Sequence, residues 1–127
     1  MKKFLWVLCA VLLVLALLFV YSGLGRRTDV YVAEAVPSVD GKTLTMHTGI
    51  WSSMGYTRAV RTKQVGDTLR CTFYTAFGGL NSKIGAQNVF TVPVDGCTQI
   101  AFFRGDGQWD IVLLKDPITG EWTRILT

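Results

Sequence analysis

The chemically versatile side chains are few. The 127-residue chain holds one histidine, His47, and three cysteines, Cys9, Cys71 and Cys97. A Cys–His nucleophile pair needs both side chains on one face and a third group to orient the imidazole. His47 lies in the alternating run Thr43–Thr48, on the side of Thr43 and Thr45. Cys71 falls with Leu69 and Phe73 on the apolar side of its own run. Successive strand side chains point to opposite faces. His47 is therefore expected to face solvent and Cys71 the core. No Cys, Asp or Glu stands at ligand spacing around His47, so no metal site is expected.

Asp40-Gly41, Asp95-Gly96 and Asp106-Gly107 invite a calcium reading. Each is better read as a turn, where Asp bonds nearby backbone and Gly supplies positive φ. A calcium loop needs several oxygen ligands at alternating positions. The nearest approach, Asp106 with Asp110, runs at once into apolar residues. No pair of carboxylates stands out for glycoside chemistry. Gly78-Gly79 lacks the Gly-Lys-Ser/Thr ending of a phosphate loop. The expected catalytic, metal and cofactor residues are therefore none, and no nucleic-acid partner is expected. A small hydrolase is the least favoured function class, because no nucleophile, base and orienter can be assembled.

The remaining candidates concern binding. Between Gly41 and Val94 the basic residues Lys42, Arg58, Arg61, Lys63, Arg70 and Lys83 face one acid, Asp67. Arg61, Lys63 and Arg70 are the candidates for one exposed surface, provided their strands pair across Gly66-Asp67. Such a surface suits an anionic partner. The plainer reading is a solvated strand face, since Lys and Arg discourage edge pairing. Among the aromatics, Trp51, Tyr56, Tyr74, Trp109 and Trp122 are candidates for a sugar-stacking or partner-binding face, and Trp51 is the foremost, because it lies in the irregular segment Gly49–Gly55. The alternative is that Trp51 plugs an open end while Trp109 and Trp122 fill the core. Cys71 and Cys97 are a candidate disulfide in an oxidising location. Against it, Cys71 sits mid-strand as a small buried hydrophobe.

These residues must be positioned by short strands. After Ser22 no apolar period of helical spacing lasts three turns. Alternating runs appear at Thr28–Val36, Thr43–Thr48, Tyr56–Val65, Thr68–Phe77, Val89–Val94, Thr98–Arg104, Trp109–Leu114 and Glu121–Leu126. Turn signals separate them, including Gly105-Asp106-Gly107-Gln108. A single helical turn is expected near Ser52-Ser53-Met54. The reading is all-β: a small seven- to eight-stranded antiparallel β-sandwich, Ig-like, over residues 26–127.

Residues 1–25 read differently. Met1-Lys2-Lys3 precedes Phe4–Tyr21, a stretch with no charged residue. At about 1.5 Å per residue, about 20 residues cross a bilayer core of about 30 Å. The apolar run is longer than a cleaved signal needs, and Val20-Tyr21-Ser22 and Gly23-Leu24-Gly25 are poor cleavage sites. The expectation is an uncleaved, single-pass transmembrane signal anchor that contacts membrane lipid and holds the domain outside. The alternative is secretion after cleavage. Cys9 lies inside the apolar run, too early for lipid attachment, and reads as a small lipid-facing residue.

Several segments carry a resemblance. They are Ser52-Ser53, Gly66-Asp67-Thr68-Leu69-Arg70-Cys71-Thr72-Phe73-Tyr74, Gly78-Gly79, Ile100-Ala101-Phe102-Phe103, Gly105-Asp106 and Trp109–Leu114. Together they resemble small membrane-anchored or lipidated single-β-domain proteins of Gram-positive bacteria. The resemblance implies one compact β-domain behind an amino-terminal membrane signal. It transfers no catalytic residue. The expected function is a non-enzymatic interaction module at the cell envelope, meeting a cell-envelope protein or polymer. The alternative is a binding module for an anionic or sugar-rich cell-wall polymer.

Overall fold

The computed structural model of the protein describes residues 1–52, 54–78 and 81–125. Helix α1 covers Lys2–Ser22, 21 residues with no buried side chain. It is long and apolar enough to cross a membrane. Nine strands follow: β1 Arg26–Arg27, β2 Val30–Pro37, β3 Thr43–Ile50, β4 Thr57–Val65, β5 Thr68–Thr75, β6 Val89–Pro93, β7 Gln99–Gly105, β8 Gln108–Lys115 and β9 Trp122–Arg124.

The strands form two sheets. The smaller has the order β2-β3-β6, all antiparallel. In the larger, β5 is the hub. It pairs with β4 along its whole length on one edge. Its other edge is shared, with β7 beside Thr68–Cys71 and β1 beside Phe73 and Tyr74. β8 and β9 extend the sheet beyond β7.

Alternation builds a single core between the sheets. Val30, Val32, Leu44, Met46, Phe90 and Val92 come from the smaller sheet. Leu69, Cys71, Phe73, Ile100, Phe102 and Leu113 come from the larger. Phe73 packs edge-on against Phe90, at 5.4 Å between centroids, and against Phe102, at 4.7 Å. One ring from β5 therefore ties both sheets together. The expected inward set on β5 is the observed one.

The expectation of a wholly antiparallel fold needs correction, because β5 and β7 run parallel. The chain leaves β5, contributes β6 to the other sheet, and re-enters beside the start of β5 at Gln99. Antiparallel pairing would need β7 to enter at the other end. The strand count also exceeds the expectation. The additional strand is the two-residue β1, just before the expected run from Thr28, which pairs with β5 while β2 joins the other sheet. The last strand is shorter than expected and ends at Arg124; Leu126 lies outside the described residues. Part of the expected helical turn, Ser53, also lies outside them. Its neighbours Ser52 and Met54 are bends.

The β7–β8 connection forms as expected. Gly105 pairs with Gln108, leaving the two-residue turn Asp106-Gly107 with φ of 49° and 73°. Two successive positive φ values twist the turn to match the flanking strands.

α1 ends against the domain rather than apart from it. Phe19 stacks on Phe77 at 5.4 Å. The Gly78 N–H donates to Ser22 Oγ, and Arg58 donates to the Gly23 carbonyl. A Cβ on Gly23 would lie 2.5 Å from the Phe77 ring, which accounts for glycine at this crossing.

Candidate functional site: a basic and aromatic sheet face

The outer face of the larger sheet gathers cations. Arg61 and Lys63 lie two residues apart on β4 and so share a face. Lys63 pairs with Arg70 of β5, and Arg61 with Thr72. The hairpin closes through Gly66 and Asp67, the pairing the sequence reading required. Arg26 on β1 pairs with Tyr74, which extends the same face towards α1. Arg26, Arg61 and Lys63 are exposed and Arg70 is half-buried.

Aromatic rings lie among these charges. Phe103 is opposite Trp109 in the β7–β8 ladder, and their rings meet edge-on at 5.5 Å. The Arg26 guanidinium lies over Phe103 at 4.7 Å, and that of Arg70 over Trp109 at 5.0 Å. Such contacts are attractive and restrict the guanidinium while leaving its donors for a ligand. Ala101 and Thr72 are small, so the face dips between the long side chains. A hollow of about 240 Å³ is bordered by Thr68, Arg70, Ala101 and Trp109. A second, of about 580 Å³, is bordered by Leu24, Arg26, Arg61 and Tyr74.

Among the described residues, the salt bridges are Arg27–Asp29 at 2.8 Å and Arg104–Asp110 at 3.1 Å. Neither involves a cation of this face. Asp67, in the β4–β5 turn, accepts the Thr98 hydroxyl.

Trp51 does not join this surface. It stacks on Tyr31 at 5.5 Å, beside the seam between the sheets, and is 63% exposed. Arg104 lies over its ring at 5.2 Å and donates to the Thr28 and Val30 carbonyls. Arg124 donates to the carbonyls of Val32 and Ala33. Two arginines thus stitch the larger sheet to β2. The reading of Trp109 as a core residue is corrected: it belongs to the outer face, half-buried beneath Arg70. Trp122 is partly buried against the core.

Sequence reasoning missed Arg26 and Phe103 as members of this face, and weighed Trp109 as a binding aromatic without placing it here. Arg26 follows the apolar helix directly and lies outside the basic stretch Gly41–Val94. Ile100–Phe103 is apolar at every position and buried on both sides, so alternation gives no phase there. The one available signal was the Asp106-Gly107 turn, which fixes Phe103 opposite Trp109.

The catalytic candidates do not converge. His47 is exposed on β3 of the smaller sheet, and Cys71 is buried on β5. Asp110, half of the weighed calcium pair, is bound to Arg104. A further hollow of about 350 Å³ lies at Thr48, Tyr56, Gln87 and Asn88. Its threonine hydroxyls are used internally, Thr48 donating to the Asn88 carbonyl and Thr57 to that of Gln87.

Cys71 and Cys97 are both buried, free thiols. Burial pushes the Cys71 thiol up from 9.0 to about 12, with a smaller push from Cys97. The nucleophilic thiolate is therefore suppressed at neutral pH. The folded state holds this proton more tightly than the unfolded chain. The associated stability is complete below pH 9 and is lost as pH rises towards 12. Iodoacetamide should leave Cys71 and Cys97 unmodified in the folded protein and alkylate both after unfolding without reductant. Alkylation of Cys9 alone in the unfolded chain would show a Cys71–Cys97 disulfide instead.

No family model, curated protein or solved structure matches the chain. The class is thus set by architecture: an apolar amino-terminal helix followed by a two-sheet β-domain.

Proposed function

We propose that the protein is a non-enzymatic interaction module of the cell envelope, anchored in the membrane by α1, with its β-domain outside. It binds through the outer face of the larger sheet. The observation that carries this reading is the gathering of Arg26, Arg61, Lys63 and Arg70 on that face, outside the ion pairs of the described residues. Strand edges need an occasional charge to stay soluble. Edge protection does not require cations on interior strands, yet Arg70 lies on β5, between β4 and β7. The shared core supports reading the domain as a β-sandwich, and the parallel β5–β7 pair departs from the antiparallel Ig-like arrangement.

The test places a photo-crosslinking amino acid at Thr72, on the outer face of the larger sheet, or at Thr91, on that of the smaller. Irradiation in native membranes should give adducts from position 72 and none from 91. Equal labelling, or none, would sink the proposed face. Intact mass of the same material should begin at Met1; a start at Gly23 or Arg26 would replace anchoring by secretion.

A further inference from the structure

We infer that the cationic face takes an extended, phosphate-bearing polymer that runs along the strands. The inference rests on the binding face proposed above and names its occupant. The cations form a row with regular levels. Arg26 stands at the level of Tyr74, Arg61 at that of Thr72, and Lys63 with Arg70 one step further. Each level is two residues, or about 6.6 Å along the strands, from the next, so the cations run for about 13 Å in a band about 10 Å wide, with β1 and β4 on opposite edges of β5. One cation on each of the first two levels and two on the third suit a chain with one phosphodiester per short polyol unit.

The direction of the row argues against a lipid surface. α1 meets the domain at Phe77 and Gly78, just beyond the carboxyl end of β5. From Arg26 the row leads away from that end, towards Gly66. A bilayer crossed by α1 would meet the Arg26 end and leave Lys63 and Arg70 beyond it. A linear polyanion can follow all three levels. The guanidiniums of Arg26 and Arg70, held over Phe103 and Trp109, suit phosphate oxygens.

The experiment uses the full chain in nanodiscs of phosphatidylcholine. The probe is a fluorescent glycerol-phosphate oligomer of about six repeats, enough to cover a row of about 13 Å. Inorganic phosphate and phosphatidylglycerol vesicles are the comparison arms. The oligomer should bind, and more weakly as salt rises. The Arg61→Gln, Lys63→Gln, Arg70→Gln variant should bind about a hundredfold more weakly. Lys42→Gln, in the β2–β3 turn of the other sheet, should bind like the wild type. Matching circular dichroism of all three proteins shows that the loss is not unfolding. Equal affinity for inorganic phosphate per phosphate group, or equal capture by anionic vesicles, would overturn the polymer. So would undiminished binding by the triple variant. Adducts at Thr72 without oligomer binding would overturn the polymer while the binding face stands. If Thr72 gives no adducts and the oligomer does not bind, both ideas fail.

Discussion

Phe73→Ala is expected to lower the unfolding free energy by about 3–5 kcal/mol, the range for an aromatic removed from a packed core. Phe73 is 1% exposed and touches Phe90 of one sheet and Phe102 of the other. Truncation deletes both edge-on contacts and opens a cavity where the sheets meet. Neither sheet can close it without shifting its own ladder. Leu69→Ala, on the same face, should cost about 2–5 kcal/mol. Arg70→Ala, one residue from Leu69 but on the outer face, should change stability by only about 0.5 kcal/mol. Urea unfolding of the full chain in micelles, followed by tryptophan fluorescence, reads all three. Equal losses at Phe73 and Arg70 would mean that the faces have been exchanged.

Arg104→Ala should be the most damaging change at a charged residue, at about 2–4 kcal/mol. The Arg104 side chain is 12% exposed and bonds the carbonyls of Thr28 and Val30 across the seam. Removing it strands those two acceptors and frees the edge of β2 from the larger sheet. The Asp110 partner contributes little, because its side chain is 50% exposed and water screens the pair. Arg104→Lys therefore separates charge from geometry. Lysine keeps the cation but loses the planar fork, so it should recover less than half of the loss. Full rescue by lysine would show that the charge alone matters. Asp110→Asn should cost well under half as much as Arg104→Ala.

What the sequence disclosed follows from how local each signal is. The Leu69, Cys71, Phe73 alternation needs no partner to define its inward face, and that reading matches the structure. The Gly66-Asp67 turn sets the pairing of Lys63 with Arg70 from within one hairpin, so the heart of the cationic face was legible. The parallel β5–β7 pair joins strands separated by a visit to the other sheet, and no local pattern encodes that return. Arg26 needed the same long-range knowledge, because its place depends on which half of the β5 edge β7 leaves open. Arg104 was missed for another reason: the backbone carbonyls it binds are chemically the same in every sequence.

The shared edge of β5 also has a mechanical meaning. α1 passes through only Gly23–Gly25 before β1, and β1 holds β5 by two residue pairs, Arg26 with Tyr74 and Arg27 with Phe73. A pull on the helix therefore loads this short ladder before the long ones that hold β4 and β7. The next attachments along the chain are Thr28, bonded by Arg104, Asp29, bonded by the Trp51 N–H, and Val30, 1% exposed and set in the core. Peeling residues 23–29 away would free a tether with a contour of about 24 Å, at about 3.4 Å per residue, and would also break the bonds of Thr28 to Arg104 and of Asp29 to Trp51. The same displacement would carry Arg26 off the face and shorten its row of charges. On the function proposed above, tension on α1 and binding by the sheet would act on one strand, a releasable slack between the membrane and the bound partner.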